Sequence, residues 1–379
     1  MVSATIPAEE VIITYRTLMT WNNSLAIHAA AENSSNSSFC PLFDGWNLLY
    51  KWQPVFLWFI FALGALENAF VLSVFCLHKS RCTVAEIYFA NMAAADLLLV
   101  SGLPFWAINI SQQFSWPFGQ FMCKAVSVLI YMNLYASIYF LMMVSIDRYL
   151  ALVKTMSIGR LRSPLYAKFI CSLIWIFALL VSMPTLLHRT VSFLPELNKD
   201  ICRIVYPSEQ WRVASNFFLN ILGFLTPLVV ITFCTFQIIK ALRNNAMQKL
   251  KEIQTEKKAS TLVLVVLLVF IFCWLPFQLV SFFDTLYIYQ IISGCTTEKV
   301  LLIADQISSY CAYSNSCLNP VLYVIVGNHF RKKAKELYKQ LLTRKRKRRN
   351  TNASLPMDSS MDTVRTSISM GFPANKLVS

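Results

Sequence analysis

Charged residues are scarce in this sequence. Asp, Glu, Lys and Arg make up 14% of its 379 residues, whereas soluble globular domains carry about a quarter. Glycine and proline, at 9 and 14 residues, are too few for collagen-like or low-complexity architectures. The eleven cysteines show no CxxC spacing and no HExxH motif occurs, so zinc, dithiol redox and metalloprotease sites have no support. These absences disfavour a soluble enzyme and point to lipid as the solvent.

Hydrophobic residues are abundant, at 56% of the chain. Seven apolar stretches are long enough, or nearly so, to cross ~30 Å of hydrocarbon as a helix. They lie at roughly 52–77, 86–110, 121–146, 166–187, 213–239, 261–288 and 300–326. We therefore predict an all-α membrane protein, a seven-transmembrane helix bundle over residues 52–326. An N-terminal tail (1–51) precedes it, and a short juxtamembrane amphipathic helix (327–342) and a regulatory tail (343–379) follow.

Lysine and arginine set the expected orientation. They cluster after spans one, three and five and in the C-terminal tail, whereas residues 111–120 contain neither. Because basic connections stay in the cytoplasm, we expect a plasma-membrane protein with its N-terminus outside and its C-terminus inside. Four sequons are then candidate glycosylation sites, at Asn22, Asn33, Asn36 and Asn109. The net charge of +15 is distributed between spans, so it favours anionic lipids and acidic partners over nucleic acid.

Polar side chains within the spans are costly and suggest function. Asp96 lies in span two, Asn133 and Ser137 in span three, and Asn315 and Asn319 in span seven. One interpretation is interhelical hydrogen bonding. The interpretation we favour is a site for a small hard cation such as sodium, since all five side chains carry oxygen atoms.

The last turns of span three contain Asp147-Arg148-Tyr149. Arg148 lies 25 residues after Cys123, or about 37 Å of helix, so the two residues mark opposite faces of the membrane. The tripeptide alone has little specificity, because an Asp-Arg pair can simply anchor a helix end.

Prolines interrupt spans six and seven. Pro276 follows Trp274 by two residues, and span seven reads Asn319-Pro320-x-x-Tyr323. Each proline removes a backbone hydrogen bond and kinks its helix. A kink can be static packing, but two kinks near polar clusters favour a bundle that moves.

These features occur in order along the chain, one for each span. With the motifs above they comprise Asn68, Asp96, Cys123, Trp175, Pro227 and Cys273. Together they resemble the rhodopsin-like (class A) G protein-coupled receptors. The resemblance implies a ligand pocket at the outer face and G protein engagement around Arg148, with no enzymatic activity.

Longer segments, such as VSIDRYLALVKTMS and AYSNSCLNP, resemble the bradykinin (kinin) receptors, and the type-two subtype more than the type-one. That resemblance implies a short basic peptide agonist, coupling to the Gq class of G protein, phospholipase C and calcium release. Alternatives are a receptor for another small peptide, angiotensin- or chemokine-like, or an ion-coupled transporter. The odd span count and the lack of visible inverted repeats disfavour a transporter.

The resemblance also supports two extracellular disulfides, Cys123–Cys202 and Cys40–Cys295. Receptor kinases and arrestin are implied as partners of the C-terminal tail. The candidate phosphorylation sites are Ser359, Ser360, Thr363, Thr366, Ser367 and Ser369. No cofactor is expected beyond the allosteric sodium ion, which should favour the inactive state.

Two acidic residues lie near the outer ends of spans six and seven. Asp284 is seven residues beyond Phe277 and about 10 Å further out on the same helix face, and Asp305 faces the bundle interior. One interpretation is that both are solvated rim charges or loop salt bridges. We favour the other, that they converge on a pocket that attracts the arginine and amine of a basic peptide. We expect other residues to complete the pocket: Trp106, Phe277 and Tyr131 on its apolar side, and Arg189 at the peptide carboxylate.

Overall fold

The computed structural model describes residues 46–78, 81–153, 163–195, 198–244, 250–326 and 328–353. These residues form seven long helices followed by an eighth. The long helices are α1 (Trp46–Leu77), α2 (Val84–Ser111), α3 (Gly119–Leu152), α4 (Pro164–His188), α5 (Glu209–Asn220, continued by Ile221–Leu225 and Thr226–Asn244), α6 (Leu250–Ile288) and α7 (Cys295–Val326). The predicted all-α fold is confirmed, and every predicted span lies within one of these helices.

Helix α8 (Asn328–Ala353) follows α7 and runs past the predicted end at residue 342. The chain divides into two compact units, Met1–Lys335 and Glu336–Ser379. The seven long helices belong to the first unit, and the second begins within α8.

Helix α3 lies at the centre of the bundle. It packs against α2, α4, α5 and α6, whereas α1 packs mainly on α2 and α7. Its middle is correspondingly buried, with Ala136, Ile138 and Phe140 fully enclosed. Side chains that α3 points inward are therefore shared by most of the other helices.

Helices α1, α2 and α7 approach one another closely at Gly64. A Cβ atom built on Gly64 would lie 2.8 Å from Val100 Cγ1 and 3.3 Å from Cys317 Sγ, so only glycine fits. One turn along, the buried Asn68 donates from Nδ2 to the Ser316 carbonyl at 2.8 Å. The absence of a side chain brings the backbones together, and the amide then crosslinks them.

Helix α5 contains a π-helical turn, Ile221–Leu225, just before Pro227. Proline has no N–H, and its ring would clash with the carbonyl four residues earlier in a regular α-helix. The Thr226 N–H instead bonds to the Ile221 carbonyl, which leaves the Leu222 carbonyl without its usual α-helical donor. The Tyr139 hydroxyl of α3 donates to that carbonyl at 3.2 Å. The proline thereby creates a polar tie between α3 and α5.

A β-hairpin connects α4 to α5, and the sequence did not lead us to expect it. Strands β1 (Arg189–Leu194) and β2 (Lys199–Ile204) pair antiparallel, with Arg189 opposite Ile204 and Val191 opposite Cys202. Within it, Leu194, Ile201 and Cys202 are buried. The hairpin thus packs on the helices as part of the protein core.

Six helices of the described part, α1 to α6, are long and apolar enough to cross a membrane. Helix α7 has 32 residues but is more polar, because it carries Asp305, Gln306, Asn315 and Asn319. Three of these, Gln306, Asn315 and Asn319, are buried against neighbouring helices. A helix that faces protein on much of its surface tolerates polar residues that lipid would not.

Candidate functional site

The two ends of the bundle have different chemistry. Cys123 lies in the first turns of α3 and Arg148 in the last turns. We call the end around the Cys123–Cys202 pair the disulfide end, and the end around Arg148 the arginine end.

A disulfide links Cys123 of α3 to Cys202 of β2. Both side chains are buried, and Trp116 packs in the same hydrophobic cluster. This is the first of the two predicted pairs. Cys295 is disulfide-bonded as well, but Cys40 lies outside the described residues, so that pairing stays a prediction.

Arg189 of β1 and Trp106 of α2 lie together at the disulfide end. The guanidinium carbon is 5.3 Å from the indole centroid, a cation–π distance. Within the described part of the chain, Arg189 Nε and Trp106 Nε1 are buried donors that have no hydrogen-bond partner. Buried donors are costly to leave unpaired, and a cationic donor beside a neutral one suits a carboxylate.

Tyrosines surround the same guanidinium. Burial lowers the pKa of Arg189, and the nearby hydroxyls of Tyr131, Tyr206 and Tyr313 oppose that shift. Three residues predicted for the ligand pocket, Arg189, Trp106 and Tyr131, are therefore neighbours, although they come from β1, α2 and α3.

Asp284 of α6 is hydrogen-bonded through both carboxylate oxygens. Arg212 Nη2 of α5 lies 2.5 Å from Oδ1, and Asn216 Nδ2 donates to Oδ2 at 3.1 Å. The side chain is 27% exposed. The alternative of a loop salt bridge is thus partly right, since Asp284 has a cationic partner, but that partner belongs to a neighbouring helix.

Asp305 of α7 completes an acidic cluster at this end. It is half-buried and accepts a long hydrogen bond, 3.4 Å, from Gln306 Nε2. Its charge interacts with those of Asp284 and Arg212. Asp284, Asp305 and Arg212 thus lie near one another, and the convergence of the two aspartates on a ligand pocket stays a prediction.

Arg212 and Asn216 were missed by the sequence interpretation. They lie four residues apart near the start of α5, and Asn220 follows on the same face and donates to Ser281 Oγ of α6 at 3.2 Å. An i, i+4, i+8 stripe of polar residues entering an apolar span is a readable signal for a polar contact with another helix. It does not reveal which helix lies across from it.

The predicted ion cluster is assembled around Asp96, which is fully buried. Its Oδ1 accepts from Asn133 Nδ2 at 2.8 Å and from the Ser137 hydroxyl at 3.4 Å. Its Oδ2 accepts from Asn319 Nδ2 at 3.1 Å. Side chains from α2, α3 and α7 therefore meet at one carboxylate, and all three donors are neutral.

The residues present fit a small hard cation. Within the described chain, the amide oxygens of Asn133 and Asn315 are buried and have no hydrogen-bond donor. The Asn133 side chain contacts Asp96, so its free oxygen is a suitable ligand for a hard cation such as sodium, which prefers oxygen ligands. Asn315 has no hydrogen bond to Asp96 among the described residues, so its part in the site stays a prediction. No cluster of His, Cys, Asp and Glu suited to a transition metal occurs among the described residues.

Aromatic rings continue from the disulfide end toward the bundle centre. Phe277 contacts Trp274 edge-on at 6.2 Å, and Trp274 contacts Phe270 at 6.1 Å. Phe270 then stacks on Phe224 of α5 at 6.4 Å. Pro276 lies between Phe277 and Trp274 in the chain, so this row of rings extends on both sides of the proline of α6.

At the arginine end, Arg148 Nη2 lies 2.9 Å from Asp147 Oδ2. Asp147 is buried and Arg148 is 16% exposed. The two neighbouring side chains of the tripeptide thus form an ion pair with each other. Nearby, Tyr149 packs on Phe233 of α5 with ring centroids 6.0 Å apart.

Tyr323 of α7 is 2% exposed and packs on Phe89 at 4.8 Å. Its buried hydroxyl has no hydrogen-bond partner among the described residues. Asn319, four residues earlier, binds Asp96, and Pro320 lies between them. The Asn319-Pro320-x-x-Tyr323 segment therefore connects the Asp96 cluster to the Tyr323 hydroxyl. That hydroxyl could gain a hydrogen-bond partner in a different arrangement of the helices.

Comparisons with known proteins agree with this geometry. Residues 67–323 match the model of the 7 transmembrane receptor (rhodopsin family). The chain belongs to this family. Its relatives include the B2 bradykinin receptor of Rattus norvegicus, 53% identical over 93% of this chain and 89% of the relative. The B2 bradykinin receptor of Homo sapiens is 55% identical over 90% and 87%. The B1 bradykinin receptor of Tupaia minor is less similar, 43% identical over 80% and 86%.

The receptor is therefore a multi-pass plasma-membrane protein with a seven-transmembrane bundle, and α7 is its seventh span despite its polarity. Its family is one of receptors and not of enzymes. The predicted resemblance to bradykinin receptors, type two ahead of type one, is confirmed.

One predicted modification of the receptor conflicts with the structure. Asn109 is 3% exposed in the last turn of α2, and its Nδ2 donates to the Ser115 carbonyl at 3.1 Å. A glycan needs that nitrogen free at the surface, so this sequon is not a usable site. The other predicted glycosylation sites (Asn22, Asn33, Asn36) and all six phosphorylation sites lie outside the described residues.

Proposed function

We propose that this receptor binds a short basic peptide of the kinin class at its disulfide end. The main support is an arrangement of opposite charges: Asp284 and Asp305 lie on α6 and α7, and Arg189 lies on β1 with an unpaired buried Nε. The names of the similar B2 and B1 bradykinin receptors support the same ligand class. A peptide with a cationic first residue and a free carboxylate matches both charges.

In this proposal the peptide's arginine and amine bind toward Asp284 and Asp305. Its carboxylate binds the two unpaired donors, Arg189 Nε and Trp106 Nε1. The rings of Phe277 and Tyr131 contact its apolar side chains. Complementary charge at both ends sets the direction in which the peptide binds and raises its association rate.

The row of rings gives binding a route to the centre of the bundle. A peptide that presses on Phe277 shifts Trp274, which is buried and has no partner for its Nε1 among the described residues. Helix α6 then pivots about Pro276. We infer that the outward movement of α6 opens a cavity at the arginine end for a heterotrimeric G protein of the Gq class, with phospholipase C and calcium release downstream.

The residues that take part at the arginine end are those of the two motifs. Arg148 leaves Asp147 and, with Tyr149, faces the G protein. The Asn319-Pro320-x-x-Tyr323 segment rearranges and provides the Tyr323 hydroxyl with a partner. A sodium ion held by Asp96, Asn133, Ser137, Asn315 and Asn319 favours the inactive state, because activation is expected to compact this cluster.

The proposal also includes orientation and regulation. The disulfide end and the N-terminus lie outside the cell, and the basic connections and C-terminus lie in the cytoplasm beside anionic lipids. Receptor kinases phosphorylate the six tail hydroxyls, and arrestin binds the added charge.

Calcium release in transfected cells tests the proposal. Cells expressing the receptor are exposed to bradykinin and to a panel of other basic, neutral and acidic peptides. We expect a response to bradykinin-like peptides that is lost on Gq inhibition and in the Arg189→Gln variant. A response to an angiotensin- or chemokine-like peptide alone would contradict the ligand assignment. Peptide binding without nucleotide exchange on any G protein would contradict the coupling.

A further inference from the structure

Arg212 occupies the carboxylate that the proposed ligand needs. The 2.5 Å contact to Oδ1 and the Asn216 hydrogen bond to Oδ2 leave Asp284 with a donor on each oxygen. Both donors come from one face of α5. A peptide guanidinium that binds Asp284 must therefore displace Arg212 or share the carboxylate with it.

The Arg212–Asp284 ion pair is accessible to a competing cation. The two side chains are 16% and 27% exposed, so water still reaches the pair, and we take its strength as about 1 kcal/mol, the upper end for exposed ion pairs. Arg212 also reaches only one oxygen of Asp284, whereas a guanidinium that binds both oxygens in parallel forms a stronger pair.

A second partner for Arg212 lies one turn away on its own helix. Glu209 Oε2 is 3.9 Å from Arg212 Nη1, too far for a hydrogen bond. That oxygen is buried and has no hydrogen-bond partner in the part of the chain that the structure describes. Glu209 and Arg212 are spaced i, i+3 and face the same side, so a small rotation moves the guanidinium from Asp284 to Glu209.

We propose that Arg212 is an internal competitor of the peptide's cationic residue, and so a specificity-determining residue of the ligand pocket. This inference rests on the proposed function. In the empty receptor Arg212 neutralises Asp284 and ties α5 to α6. The peptide guanidinium displaces it onto Glu209, and the tie between the two helices is released. A ligand side chain reaches Asp284 only if it binds that carboxylate more strongly than Arg212 does. An arginine of the peptide meets this condition and a neutral residue does not.

Equilibrium binding of labelled bradykinin to membranes tests this inference. The receptors are the unmodified protein, Arg212→Gln, Asp284→Asn and the double variant, with surface expression measured by antibody. We expect Arg212→Gln to bind about threefold to fivefold more tightly, because removal of a competing ion pair of about 1 kcal/mol raises affinity by about fivefold at most. In the Asp284→Asn background, Arg212→Gln should alter affinity by less than about twofold, because the carboxylate for which Arg212 competes is then absent.

Two controls separate competition from general charge. Lys199→Gln removes another cation from the disulfide end, where Lys199 binds Gln113 at 2.8 Å, and should leave affinity unchanged. An analogue with citrulline in place of the first arginine of the peptide should gain nothing from Arg212→Gln. If Arg212→Gln is poorly expressed, Arg212→Lys keeps the charge without the planar fork and should give a smaller gain.

Weaker binding by Arg212→Gln would overturn the inference, since Arg212 would then hold Asp284 in place for the ligand. A gain that persists in the Asp284→Asn background, or equals that of Lys199→Gln, would also overturn it. Failure of the unmodified receptor to bind any basic peptide would instead reject the proposed function, and this inference with it.

Discussion

Replacing Asp96 with asparagine tests whether the buried cluster transmits an effect of sodium. The carboxylate is fully buried and accepts hydrogen bonds from Asn133, Ser137 and Asn319. Each hydrogen bond to a charged group contributes about 1.5–3 kcal/mol, whereas burying a charge costs several kcal/mol per ion. Neutral donors alone thus roughly balance the desolvation of this carboxylate, and a cation would add to its stabilisation.

In the Asp96→Asn variant, the new amide oxygen can still accept from Asn133 and Ser137. Its NH₂ group would face the donor of Asn319 at the present 3.1 Å contact, so one hydrogen bond is lost at a cost of about 1–3 kcal/mol. Removal of the buried charge offsets this loss. We therefore expect little change in stability but no remaining charge to hold sodium. Allosteric coupling is typically about 1–3 kcal/mol, or 5–150-fold in affinity.

Competition binding of a peptide agonist in sodium chloride and in N-methyl-D-glucamine chloride, at equal ionic strength, measures this coupling. Sodium should lower agonist affinity of the unmodified receptor at least about fivefold, and that of Asp96→Asn not at all. Glu67→Gln is the matched control, because it removes another carboxylate within a span while leaving the Asp96 hydrogen bonds intact, and should keep the full response. An Asp96→Asn receptor that still responds to sodium would refute the site, because a ligand shifts an equilibrium only through its differential affinity.

Three further outcomes are expected. Asp284→Lys should weaken a peptide that begins with arginine far more than its neutral-first analogue; equal losses would mean that Asp284 does not read that charge. Cys202→Ser should lower the free energy of unfolding, followed by loss of peptide binding on heating, by about 2–4 kcal/mol. Chain entropy alone gives ~4.5 kcal/mol for a separation of 79 residues, and the value is smaller here because the membrane spans already confine the unfolded chain. Equal heat stability of the unmodified receptor with and without reductant would exclude a contribution from the disulfide. Gly64→Ala should lower the free energy of unfolding by about 1–3 kcal/mol, because the new Cβ would lie 2.8 Å from Val100. Adding Val100→Ala should recover most of that loss. A Gly64→Ala receptor as heat-stable as the unmodified one would show that the helices simply move apart.

Several features of this receptor could be predicted from the sequence because they depend on one segment at a time. A span needs about twenty apolar residues whatever its neighbours are, so all seven spans could be predicted from the apolar stretches of the sequence. Helical geometry also places Cys123 and Arg148 at opposite ends of α3 without reference to any other helix. Asp96, Asn133 and Ser137 could be grouped because a polar residue within a span must face protein, which at similar depth leaves few partners.

Tertiary structure decided everything that depends on which surfaces meet. Asp284 could be placed near the C-terminal end of α6 from the sequence, but its partner Arg212 follows from the rotation of α5 against α6, which no single segment specifies. Asn109 matches a sequon, yet the turn after α2 buries it. Arg189, Trp106 and Tyr131 meet only because the hairpin folds over the bundle. Helical periodicity shows which face of a helix is polar, whereas packing between helices determines what that face contacts.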